Sequence, residues 1–274
     1  MTLAGRRLVL WFFPAAVGLA TAAVLAAGFA AALQGRLGEP VDPSATPVQT
    51  PAIPLATADG AFRIVALGDS LTRGAGDAAG GGGYPERIAA ALRKAGRTVS
   101  VDNLAVDGSE TGDFLRQMED ADVARRVAAA DLIVVSIGGN DLSHSLRSVV
   151  PGETAADPTK AALEAASLNL QRVLPLLRKS NPPAPIRILG LYNPFPEGFD
   201  KRMAKETLLR WNVALEEASY SVSGASVVPT ADLFDERPDR LSPDRFHPGP
   251  NGYGEIASRV LSTLNLPAAA PQKS

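Results

Sequence analysis

From Ala61 onward, short apolar runs of strand length alternate with longer amphipathic segments, and that alternation leaves few folds open. FRIVALG (62–68), TVSVDNLA (98–105), DLIVVSIGG (131–139), IRILGLYN (186–193) and ASVVPT (225–230) read as five strands. The third is apolar almost without a break, the pattern of a strand covered on both faces. Helical patterns separate them: Tyr84 to Gly96 with the glycine as C-cap, one or two short helices over 111–129, and 200–220. A long helix is expected over 158–179, kinked by Pro175 or losing its regular part there, and a final helix over 251–264. Strands separated by helices predict a parallel sheet with helices on both faces. The glycine run Gly80 to Gly83 reads as a loop; no Gly-Lys-Ser/Thr follows it, so it is not a phosphate loop.

In an open α/β sheet, ligands bind beyond the carboxyl ends of the strands, so the residues just past each strand matter most. The first strand ends in Gly68, Asp69 and Ser70, on what reads as a turn. The second is followed by Asn103, Asp107 and Gly108, the third by Gly138, Gly139, Asn140 and Asp141, and the fourth by Asn193 and Pro194. The loop before the last helix, SPDRFHPGPNGY, carries Asp244 and His247. A hydroxyl, an imidazole, a carboxylate and an amide therefore collect on one rim.

Acyl transfer requires such a set. An attacking hydroxyl needs a base with a pKa near neutral, and His247 is the histidine outside the Asn140 loop. Asp244, three residues earlier, is placed to hold the imidazole in one tautomer and to stabilise the imidazolium. The backbone N–H groups of Ser70 and Gly108 and the Asn140 amide are candidate oxyanion donors. Plainer roles stand beside these. Ser70 alone is an ordinary turn residue, Asp69 suits the holding of the turn, and Asn140 suits a helix cap. Gly108 suits a positive φ, and His247 a cap or packing on Tyr253. Asp141, Tyr192 and Phe195 join Asp69 as candidate substrate contacts; apolar residues after a strand are also ordinary packing. Trp211 reads as core and His144 as a solvated loop residue.

Four blocks resemble those of the SGNH/GDSL hydrolases. GDSLTRG (68–74) is similar to the block with the nucleophile, Ser70, and NLAVDGSET (103–111) to the one with the oxyanion glycine, Gly108. IGGND (137–141) is similar to the block with Asn140, and DRFHPGPNGY (244–253) to the one with Asp244 and His247. They occur in order across about residues 62–264. Pro250, before Asn251, departs from the last block but leaves the Asp-x-x-His spacing intact. The resemblance implies a three-layer α/β/α sandwich with a five-stranded parallel sheet, flavodoxin-like, and serine ester hydrolysis without metal or organic cofactor.

Before Ala61 the chain is of another kind. Arg6 and Arg7 precede an uncharged run from Leu8 to Leu33, about 26 residues, long enough to cross a bilayer with some tilt. The run exceeds the roughly 7–15 residues of a signal-peptide core, which favours a retained signal-anchor over a cleaved signal. The expected organisation is a cytoplasmic N-terminus (1–7), a transmembrane signal-anchor (8–33), a Pro-rich linker (34–60), a hydrolase domain (61–266) and a disordered tail (267–274), the domain lying outside the cytoplasm.

Composition narrows the function. A net charge of −2 lacks the basic stripe of a nucleic-acid binder. No cysteine is present, which removes thiolate chemistry and zinc–thiolate sites, and two histidines are few for a metal centre. The leading expectation is a membrane-anchored extracytoplasmic serine esterase, monomeric, acting on an acyl-ester small molecule, a lipid or an acetylated glycan. A metallophosphoesterase and a non-catalytic glycan- or lipid-binding surface module are the alternatives.

Overall fold

A computed structural model describes residues 60–78, 80–147, 158–194 and 201–264. The five strands are β1 (Phe62–Gly68), β2 (Val99–Asn103), β3 (Leu132–Ser136), β4 (Ile186–Leu189) and β5 (Ala225–Val228). All neighbouring strands pair in parallel, in the order β2-β1-β3-β4-β5. The chain leaves β1 toward one edge to make β2, then crosses to the other side for β3. That reversal opens a crevice at the carboxyl ends of β1 and β3, where an open parallel sheet offers a binding site.

Period-two alternation sends β1 side chains to two separate cores. Val65 and Leu67 join Ile133, Val135, Ile186 and Ile188 under α6 (Pro158–Ser180) and α7 (Lys201–Tyr220). Phe62, Ile64 and Ala66 join Leu132 and Val134 under α2 (Gly83–Lys94) and α9 (Pro250–Ser262). Buried on both faces, β3 is the centre of the sheet, whereas β2 exposes Ser100 at an edge. The result is the expected α/β/α layering.

Several local expectations change. The segment 111–129 forms two helices, α3 (Thr111–Gln117) and α4 (Ala121–Ala128). Pro175 does not end the long helix, which runs on to Ser180. Pro175 and Gln171, whose carbonyl loses its partner to the proline, both face solvent, while Val173, Leu174 and Leu177 anchor the inner side. The turn after β1 is a short helix, α1 (Ser70–Arg73), capped by the Asp69 carboxylate on Leu71 N–H and closed by Gly74 at φ 91°. A further helix, α5 (Gly139–Arg147), starts directly after β3 and carries His144, which is therefore helical rather than in a loop. After β5 come α8 (Ala231–Phe234) and a 3-10 turn, Pro238–Arg240. Among the described residues no helix is long and apolar enough to cross a membrane; the expected anchor at 8–33, the linker up to residue 59 and the tail lie outside them.

Candidate active site

Ser70 is the first residue of α1, directly beyond β1. Its Oγ lies 2.9 Å from His247 Nε2, and His247 Nδ1 lies 2.7 Å from Asp244 Oδ2. A carboxylate only accepts, so Nδ1 carries the ring proton and Nε2 is left to accept from the Ser70 hydroxyl. Partial burial pushes the Asp244 pKa up, but donors from Ser242 Oγ, His247 and the Phe246 and His247 N–H groups outweigh it and hold the carboxyl well below the usual range. Asp244 is therefore charged wherever the protein is folded at ordinary pH.

The loop that presents this pair is short and pinned. Ser242 N–H donates to His247 O at 2.8 Å, and Gly249 N–H to Arg240 O at 2.8 Å. Between Asp244 and His247 the backbone turns through Arg245 at φ 56°, a left-handed conformation costly for a side-chain-bearing residue and paid back by the three donors on Asp244 Oδ1. Tyr192 Oη donates to Phe246 O at 2.7 Å and its ring stacks on Phe234 with centroids 4.0 Å apart, which ties this loop to the end of β4.

Asp69 is turned inward, behind Ser70. Its Oδ1 accepts from Leu71 N–H and from Ser136 Oγ at 2.6 Å. Since Ser136 spends its proton on Asp69, its oxygen accepts from Thr72 Oγ1 at 2.7 Å, and Thr72 Oγ1 accepts in turn from Tyr84 Oη at 2.7 Å. A buried file of hydroxyls thus ends on a carboxylate. Burial raises the Asp69 pKa to about 6, against the lowering effect of Ser136, Leu71 N–H and the nearby His247. Gly68 is required here: a Cβ on it would stand 1.8 Å from Ser136 O, at φ 116°.

Asn140 sits in the first turn of α5. One of its two amide protons goes to Ser109 O at 2.8 Å, which secures the loop carrying Gly108, and Asn140 lines the same recess as Ser70. Gly108 is exposed, at φ 78°, with nothing near the position of a Cβ. Beside Ser70 and Asn140 opens a recess of about 40 Å³ whose wall includes Asp69, Tyr192, Leu142, Leu191 and Leu208.

The structure thus brings Ser70, His247 and Asp244 into one hydrogen-bonded line, with Asn140 on the same recess and Gly108 on the loop Asn140 holds. Tyr192 both lines the recess and props the histidine loop. Asp141, expected as a substrate contact, is instead taken up by Thr111: its carboxylate accepts from the Thr111 N–H at 3.0 Å and hydroxyl at 2.6 Å, fixing the start of α3. Phe195 lies outside the described residues. His144 is exposed on α5 and pairs with Glu110 at 2.6 Å. Among the described residues no group of three or more His, Cys, Asp or Glu side chains is placed to hold a metal ion.

The sequence reading missed Ser136, Ser242 and Asn212 as parts of the site, whereas Trp211 is core as expected. Ser136 is a polar residue closing an otherwise apolar strand, which was a usable signal. Asn212, a poor helix former amid apolar neighbours in α7, was another: its side chain accepts from Leu191 N–H at 2.8 Å and donates to Leu191 O at 2.9 Å. Trp211, beside it, is buried against Gly138, where a Cβ would meet its ring at 2.0 Å. Ser242 gave no signal distinct from any serine in a loop.

Residues 66–254 match the family model described as GDSL-like Lipase/Acylhydrolase. YpmR of Bacillus subtilis (strain 168) is 32% identical over 207 residues, covering 73% of this chain and 80% of that protein. Spore germination lipase LipC of Bacillus licheniformis is 29% identical over 208 residues, 73% of this chain and 94% of its own. Among solved structures, the lipase Lip_vut3 from a goat rumen metagenome superposes with a TM-score of 0.67 at 26% identity, covering 76% of this chain and all (100%) of that one.

Proposed function

The chain belongs to the GDSL-like lipase/acylhydrolase family, an ester-hydrolase family, and from that premise we propose that it hydrolyses carboxylic or thioesters through an acyl-enzyme on Ser70. The observation that carries this reading is the unbroken line from Ser70 Oγ through the His247 ring to Asp244. Ser70 Oγ attacks the ester carbonyl carbon as its proton passes to His247 Nε2; the imidazolium is stabilised by the ionised Asp244. The carbonyl oxygen becomes an oxyanion, met by the second Asn140 amide proton and by backbone N–H groups at Ser70 and Gly108. Collapse expels the alcohol, which takes the proton from His247. Water then attacks the acyl-enzyme carbonyl, gives its proton to His247, and the acid leaves as Ser70 recovers that proton.

Substrate candidates are a small acyl ester, a lipid or an acetylated glycan. We place the domain outside the cytoplasm, tethered by residues 8–33; the supporting features are Arg6, Arg7 and the uncharged run that follows. The catalytic assignment is tested with a fluorophosphonate probe. Wild type labels once and Ser70→Ala does not, while the melting temperature of the variant moves little because a hydroxyl at the sheet's rim contributes little to the core. Full labelling of the Ala variant would put the nucleophile elsewhere.

A further inference from the structure

The recess beside Ser70 is lined mostly by apolar side chains. An ester that gives its carbonyl oxygen to Asn140 must turn its leaving oxygen toward His247 Nε2, the atom that protonates it. The remaining substituent on the carbonyl carbon, the acyl group, then points into the recess that Asn140 and Ser70 border. Its apolar lining includes Leu142, Leu191 and Leu208, all buried. At about 40 Å³ it is several times smaller than the ~300–1,000 Å³ of a pocket for a drug-sized ligand.

The wall is also held from behind. Leu191 has both its backbone N–H and its carbonyl bonded to the Asn212 side chain. Asn212 and Trp211 lie one turn beyond Leu208 on α7, and Trp211 is seated against Gly138 at the head of α5, the helix that carries Leu142. Tyr192 is fixed by its bond to Phe246 O and its stack on Phe234. A longer acyl chain would have to displace side chains that are already close-packed, and cores resist that.

We infer that this enzyme is selective for short, unbranched acyl groups, acetyl to butyryl, and that Leu208 is the residue that sets the limit. The inference rests on the ester-hydrolase reading of Ser70. Leu208 reaches the recess from a helix, so truncating it lengthens the recess without touching Ser70, His247 or Asn140.

The test is kcat/KM for p-nitrophenyl acetate, butyrate, octanoate and laurate on the full chain, with fluorophosphonate labelling run in parallel. Wild type is expected to prefer acetate or butyrate and to fall by about tenfold or more at octanoate. Leu208→Ala should move the optimum toward octanoate, raising kcat/KM for that ester by about tenfold, and Leu208→Phe should confine activity to acetate. Leu208→Val gives the same direction, less strongly, should the Ala variant fold poorly. A wild-type profile that is level or rising through octanoate, with labelling intact, overturns the selectivity. An unchanged profile in variants that melt and label like wild type overturns the role of Leu208. Absence of both labelling and ester cleavage in wild type sinks the esterase reading itself, and this inference with it.

Discussion

Two carboxylates stand near one imidazole, and their surroundings push them in opposite directions. Asp244, half-exposed and accepting several donors, is held ionised; Asp69, buried behind the nucleophile, has its pKa raised to about 6. The raised value has a consequence for stability. Between the ordinary carboxylate pKa of about 4 and the folded value of about 6, the native protein holds the Asp69 proton and the unfolded chain does not. Native protein binding the extra proton means that stability falls as pH rises through that window, and above it the penalty is complete. The penalty is on the order of 2–3 kcal/mol. Asp69→Asn removes the titration while its amide oxygen still accepts from Leu71 N–H and Ser136 Oγ. Its melting temperature relative to wild type should therefore climb between about pH 4 and pH 7 and level off above. A constant difference across that range would mean that Asp69 does not titrate there. Asp244 works the other way: its lowered pKa contributes stability that is present above the usual carboxylate range and lost as pH falls below it, an effect reduced by its exposure.

At the level of elements, the site depends on where helices begin. Ser70 opens α1, Asn140 lies in the first turn of α5, and His247 stands just ahead of α9. His247 was legible in the sequence from Asp244 three residues before it; the first two places were legible because each lies just past a strand, and strands announce themselves as apolar runs. The five strands and their parallel pairing were legible for the same reason. What was not legible came from contacts between distant segments. Periodicity marks Leu208 and Trp211 as an inward face of a helix, but nothing in it says that one lines a recess and the other backs a glycine. Asp141 next to Asn140 looked equally available to a substrate; only the fold shows Thr111 occupying it. The α7–α5 contact gives a prediction of its own. Gly138→Ala places a methyl 2.0 Å from the Trp211 ring at a φ of 98°, so it should lower both the melting temperature and kcat by shifting the Asn140 turn. Adding Trp211→Leu removes the clash but not the backbone strain of about 1–2 kcal/mol. The double variant should therefore recover kcat in part, and it should be more stable than the two single effects added together. Strict additivity would show that the ring and the glycine are not coupled.

The whole chain pairs an ester-hydrolase fold with an N-terminal stretch of different physics. From Leu8 to Leu33 no charge interrupts the apolar run, and residues 34–60 carry Pro40, Pro43, Pro47, Pro51 and Pro54, too frequent for a packed element and suited to a spacer. Arg6 and Arg7 stand ahead of the run and Arg36 alone behind it, the charge bias from which we propose, by the positive-inside rule, a cytoplasmic N-terminus and a hydrolase on the other side. On that proposal the hydrolase would meet substrate near the outer face of the membrane, and a recess that takes only short acyl groups would act there on small ester substituents rather than on long lipid chains. The arrangement predicts a specific fractionation. Protease added to intact spheroplasts should cut within 34–60 and release a soluble fragment that still labels with fluorophosphonate, because a packed α/β unit resists cleavage better than a proline-rich sequence of small and polar residues. If residues 8–33 are removed as a signal, the labelled species should already be in the medium before protease is added. A domain that stays membrane-associated and protected until the spheroplasts are lysed would reverse the orientation, and the substrate would then have to be sought in the cytoplasm.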